Sequence, residues 1–257
     1  MSKKLRFLIS SIILSAGFVL VQFLEGKFKF PAVSLLVILT GAFSAWSFHE
    51  GLGKNMTWVS LILPMLFTLS IGLFWFLLPT NIFTRIPIVI FFGLGVYVLF
   101  STMNIYTVSS SLRTIGLLRA ARGVGFVLTL IISFLIFDAI FSIKQSVFIN
   151  APLSFVLSFL LFIQGFWSIN LEKTLEKNIL VLSLTSGLII SELVVLIFFW
   201  PVTVVVGSLF LTSGVYLLLG LGQAKLEDRL FPSITREYLT LGLIVLIGMF
   251  FATRWGG

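Results

Sequence analysis

Nine apolar stretches follow one another along this chain with only short polar connections between them, and no soluble fold of this size can hide so many. Of the 257 residues, 59% are hydrophobic and 10% charged. A bilayer supplies the missing apolar surroundings, because about 20 residues at about 1.5 Å rise cross its roughly 30 Å of hydrocarbon. The stretches are Leu5 to Leu24, Pro31 to Phe48, Trp58 to Leu78, Ile86 to Tyr106 and Gly123 to Ile143. Then come Pro152 to Asn170, Ile179 to Trp200, Val202 to Gly222 and Tyr238 to Trp255. Strands of a barrel would alternate in polarity and run to about 10 residues, so continuous runs of this length predict helices. The expected fold is an all-α integral membrane protein with nine transmembrane helices.

Lysine and arginine set the expected orientation. The N-terminus and the connections after spans two, four, six and eight carry 12 of the 17 basic residues, and the opposite side carries 5. Basic residues stay on the cytoplasmic side. This places the N-terminus inside and the C-terminus outside, in the cytoplasmic membrane of a prokaryote. Trp46, Trp58, Trp75, Trp167, Trp200 and Trp255 all fall near span ends, where an amphipathic ring prefers the headgroup level.

The net charge of +8 reads as topology signal and attraction to anionic lipid. No connection is long enough to form a nucleic-acid surface. The absence of cysteine excludes disulfides and thiolate chemistry. Lys3, Lys4 and Arg6 followed by an apolar run resemble a signal peptide, but the run continues to Leu24, so an uncleaved first span is expected. The Asn55-Met56-Thr57 sequon falls on the cytoplasmic side and is expected to stay unmodified.

A weak internal repeat is expected, against the alternative of chance matches in so apolar an alphabet. Pro31 and Trp46 recur as Pro152 and Trp167 at an offset of 121, and Gly95-Val96-Tyr97 recurs as Gly214-Val215-Tyr216 at an offset of 119. Such similarity is the mark of duplicated membrane units. Four crossings return the chain to its starting side, so the copies would be parallel. The expected organisation is a four-helix unit over 1–120, a second over 121–236, and a ninth helix over 237–257. Pro201 is expected to open span eight, because it lacks an N–H. The connection from Thr107 to Arg122 is expected to hold a short amphipathic helix capped by Ser109, Ser110 or Ser111, with Arg113, Arg119 and Arg122 facing lipid phosphates.

Small residues recur at four-residue spacing, as in Ser183, Gly187 and Ser191, in Gly125, Thr129 and Ser133, and in Gly248 and Ala252. These stripes let helices approach closely. Asp138 and Glu192 differ, being the two acids well inside spans. An ionised carboxylate at a helix centre costs about 2.5–3.5 kcal/mol on insertion scales, so each needs a partner, a water-filled cavity or a proton. Arg254 is one candidate partner. Each acid stands about a quarter turn from its helix's small-residue stripe, which leaves both able to face the interior. Gln164 and Asn104 are softer candidates, since amides commonly bridge helices.

There is no phosphate-binding Gly-Lys-Ser/Thr loop, no Gly-x-Ser-x-Gly elbow and no His-Glu-x-x-His helix. One histidine does not ligate haem in pairs or make a metal site. No cofactor is expected. The expected partners are the bilayer, a small-molecule or ion substrate, and another membrane protein. A small permease-like transporter is the leading reading, on pseudo-symmetry and intramembrane acids. The alternatives are a non-enzymatic scaffold or partner subunit and an intramembrane lipid-modifying enzyme.

Overall fold

A computed structural model of the chain describes residues 2–24, 26–49, 58–78, 82–109, 115–171 and 174–253. Among them are nine α-helices and no strand: α1 (Lys3–Gln22), α2 (Lys29–Phe48), α3 (Val59–Trp75), α4 (Ile82–Ser109), α5 (Ile115–Ser142), α6 (Val147–Asn170), α7 (Lys177–Phe198), α8 (Val204–Leu226) and α9 (Pro232–Ala252). Eight are long and apolar enough to cross a membrane. The other, α3, is an apolar helix of 17 residues, about 26 Å long at 1.5 Å per residue. Lipid offers no hydrogen bonds, so the backbone of each span satisfies itself by folding as a helix.

Several ends differ from the expected ones. Pro152 does not open span six; it is the sixth residue of α6, which starts at Val147. A proline in the second turn forfeits one intrahelical bond, a cost tolerated where neighbours re-satisfy the backbone. Pro201 does not open span eight either. It lies in the turn, and Thr203 caps α8 by accepting from the Val206 N–H at 3.4 Å, a role threonine fills well. The final helix begins six residues earlier than expected, with Pro232 in its first turn, where its missing N–H costs nothing. The connection after α4 holds no separate surface helix among the described residues. Residues 115–122 instead form the first two turns of α5. Ser110, Ser111, Leu112 and Arg113 lie outside the described residues, as do the Asn55 sequon, Arg254 and Trp255.

The chain divides into two compact units, 1–127 with 171–174, and 128–170 with 175–257. In the first, α1 packs on α2 and α4, and α3 on α2 and α4. The core is aromatic. Phe18 meets Phe92 at 4.7 Å between ring centroids and Trp75 at 6.2 Å, and Phe67 stacks on Phe92 at 6.0 Å with planes 5° apart. Offset-stacked and edge-on contacts of this kind are the favoured ones. Close approach comes from small residues: Gly93 faces Ser15, and Gly95 lies under the Phe67 ring. The Tyr106 hydroxyl donates to the Ala121 carbonyl at 3.0 Å, which ties α4 to the start of α5.

In the second unit α6 pairs with α7 and α8, α7 with α8, and α8 with α9. The stripe Ser183, Gly187 and Ser191 faces α6: Ser183 and Gly187 are buried, Gly187 lies against Phe155 and Phe159, and the Ser191 hydroxyl donates to the Ala151 carbonyl at 3.0 Å. Gly220 makes room for Tyr238 of α9, whose ring sits 5.4 Å from that of Tyr216. The tryptophans split into two classes. Trp46 and Trp58 are exposed, but Trp75 and Trp167 are buried in protein, so span-end position alone did not distinguish an interface anchor from a core residue.

Candidate functional site

Asp138 lies four residues before the end of α5, about 6 Å along the axis. It is 7% exposed, and its Oδ1 is buried without a hydrogen-bond partner. Glu192 is placed differently. It is an exposed residue of α7, with exposed apolar neighbours at Leu188, Ile189, Val195 and Leu196. The two acids therefore do not share a buried site. Gln164 is buried in α6. Next to it, the Gly165 carbonyl accepts from Gln223 Nε2 of α8 at 3.1 Å. Asn104 is half-buried, and its carbonyl accepts from the Thr107 hydroxyl at 2.9 Å. Of the three arginines, Arg119 is exposed and Arg122 half-buried on the first turns of α5, and Arg113 lies outside the described residues.

Three polar arrangements escaped the sequence reading. At the N-terminal end of α1, Arg6 is buried and its Nη1 lies 2.6 Å from His49 Nδ1 at the end of α2. A guanidinium only donates, so Nδ1 accepts and the ring proton sits on Nε2. Nδ1 is also 2.9 Å from the Trp46 carbonyl, which in this tautomer is a contact and not a hydrogen bond. The basic start of the chain reads as topology signal, and nothing in the sequence says that Arg6 turns inward. At the opposite end of the same unit, Arg85 stands 5.5 Å from the Phe23 ring centre and 5.9 Å from that of Trp75. These are cation–π distances. Gln22, one residue from Phe23, is buried with its Nε2 unpartnered. In the second unit, Trp200 Nε1 donates to Thr253 Oγ1 at 2.8 Å and holds the end of α9 to the turn after α7.

Three grooves of the second unit lie at its helix ends and along α9. One of about 310 Å³ is lined by Lys144, Asn150, Trp200 and Thr203, among others. One of about 690 Å³ runs beside Asn178, Thr185 and Lys225, and a third of about 560 Å³ follows Pro232 to Leu243. Neither Asp138 nor Glu192 lines any of the three. Among the described residues no three His, Asp or Glu side chains converge to hold a metal ion.

No curated protein and no solved structure matches this chain. A family model described as "Protein of unknown function (DUF5656)" matches residues 8–252. The match runs from α1 to the end of α9, and the chain, with its eight helices long and apolar enough to cross a membrane, belongs to this DUF5656 family.

Proposed function

We propose that the protein is a membrane scaffold or partner subunit that acts through lateral helix contacts. It would sit in the cytoplasmic membrane of a prokaryote with its N-terminus inside. The observation that carries this reading is α9. Of Pro232–Ala252 only Met249 is buried, so the helix contributes little to the chain's own core. Gly248 has nothing within 4 Å of where a Cβ would stand, and Ala252, four residues on, is also exposed. A small residue every fourth position is what lets another membrane helix approach closely. Photo-crosslinking residues at Ile247 and Phe251, both exposed, should give discrete protein adducts in intact membranes. Adducts to lipid alone would remove the reading.

A small permease-like transporter is the second reading, favoured by the unpartnered Oδ1 of buried Asp138, since intramembrane acids often mark proton or cation paths. Proton flux into liposomes holding the purified protein, lost in Asp138→Asn, would decide for it. A duplication of the kind the sequence suggests would fit either reading, and one pairing of glycines supports it. Gly95 packs α4 on α3, and its counterpart Gly214 packs α8 on α7.

A further inference from the structure

We propose that α7 pairs with α7 of a second copy of this chain, in parallel, about a two-fold axis along the membrane normal. This adds a second contact face, distinct from α9, to the scaffold reading and rests on it. The outward side of α7 carries a seam with a regular beat. Asn178, Thr185, Glu192 and Phe199 recur every seven residues, and Val181, Leu188 and Val195 fall between them in steps of three and four. That is the a/d pattern of a left-handed helix pair, the commonest crossing in membranes as well as in water. Every one of these residues is exposed: Val181 by 53%, Leu188 by 46%, Val195 by 38% and Phe199 by 74%, with Asn178, Thr185 and Glu192 in the same class. The seam is not the face that holds α7 in its own unit. That face is Ser183, Gly187 and Ser191, centred about 130° away at 100° per residue.

Glu192 says that lipid does not cover this seam. It stands six residues, about 9 Å, before the end of α7 at Phe198. Helix side chains lean toward the helix N-terminus, so the carboxyl points away from the nearer end and toward the bilayer centre. Reaching headgroups from there is unfavourable, and a carboxyl facing hydrocarbon is costly. Symmetry supplies the remedy. Two copies in one membrane share their orientation, so a two-fold along the normal brings each seam residue opposite itself. Glu192 meets Glu192 at equal depth, and two facing carboxyls in their neutral form each offer an O–H donor and a carbonyl acceptor, so they can hydrogen-bond reciprocally with no net charge. Asn178 and Thr185 meet their own copies in the same layer type, where polar residues fix register. A partner of unrelated sequence would have to place a donor at that depth independently.

The chain has no cysteine, which makes the test direct. Leu188→Cys and Val195→Cys should form covalent dimers on mild oxidation in native membranes. Leu209→Cys on α8 and Ile247→Cys on α9, both at exposed positions, should not. In liposomes diluted with lipid and read by energy transfer, Glu192→Leu should weaken the dimer by about tenfold, while Glu192→Gln, which keeps a donor and an acceptor, stays within about threefold. An unchanged thermal midpoint for Glu192→Leu would confirm that the fold is kept. Monomers at every dilution, equal cross-linking at the control positions, or a Glu192→Leu dimer as tight as the parent would overturn the pairing. Cross-links from Leu188→Cys to a different polypeptide would also overturn it while leaving the scaffold reading in place. Lipid-only adducts from the α9 photo-crosslinkers would remove the scaffold reading as well.

Discussion

Gly95→Ala is the sharpest test of the packing. A Cβ at position 95 would fall among three ring atoms of Phe67, which is fully buried. The ring cannot swing aside, because it stacks on Phe92 at 6.0 Å and leans on Phe91 at 6.2 Å. Overpacking of this kind costs about 1–3 kcal/mol, and contact with three rigid ring atoms places it near the top of that range. Replacing glycine by alanine in a helix returns up to about 1 kcal/mol, so the net loss is about 2 kcal/mol. Gly248→Ala meets nothing within 4 Å and should gain up to about 1 kcal/mol. Gly214→Ala falls between them, since its nearest atoms are the flexible ends of Ile190 and Leu193 at 3.2 Å. Phe67→Leu deletes the atoms in conflict, so Gly95→Ala in that background should be nearly neutral. The two changes should then couple by about 2 kcal/mol in a double-mutant cycle. Unfolding in mixed micelles, followed by circular dichroism, measures all of these. A Gly95→Ala protein as stable as Gly248→Ala, or a cycle additive within about 0.5 kcal/mol, would refute the assigned contact.

Trp200→Phe keeps an aromatic side chain and removes the donor to Thr253, so it should cost about 0.5–1.5 kcal/mol; hydrogen exchange should rise at the end of α9 and not in α6. Asp138→Asn should stabilise the second unit by about 1 kcal/mol, because a buried acceptor without a partner gives way to a neutral amide; a loss of stability in the same unfolding assay would mean that the carboxylate has an acceptor role. His49→Ala should cost about 1.5–3 kcal/mol in the first unit by removing the acceptor of a charged donor, measured as a drop in the unfolding midpoint. For the orientation, a cysteine introduced at Ser146, an exposed position between α5 and α6, should react with a membrane-impermeant thiol reagent added to intact cells; labelling only after lysis would reverse it.

The helices were legible because apolar runs of membrane length leave the backbone no other solution. Their rotation was legible only where small residues made a stripe. The spacing of Ser183, Gly187 and Ser191 alone predicts a packed face, and they pack on α6. The Gly248 and Ala252 pair has the same spacing and faces outward, since spacing identifies a face that can be approached closely and not the helix that approaches it. Arg6 and Trp75 were hidden for a related reason. A cation or an indole near a span end serves the membrane interface or a protein interior equally well, and only its rotation about the helix axis decides.

That limit also shows where more could have been read. In a chain this apolar, hydrophobicity barely varies around a helix, and the expected amphipathic signal fades. Polarity within the apolar alphabet still carries phase. On α7 the small residues step by four, and the row Asn178, Thr185, Glu192 steps by seven with Val181, Leu188 and Val195 interleaved. A step of four with small side chains suits a close approach between helices, and alternating steps of three and four with larger ones suit a left-handed crossing of about 20°. Two periods on one helix imply two packed faces. The fold of a single chain uses the first, with α6 seated on it, and packs α8 beside it through Ile190 and Leu193. The second, which carries a glutamate about 9 Å inside the helix end, is exposed along its length among the described residues, and the cost of leaving that carboxyl in hydrocarbon is what makes an unused period informative about assembly.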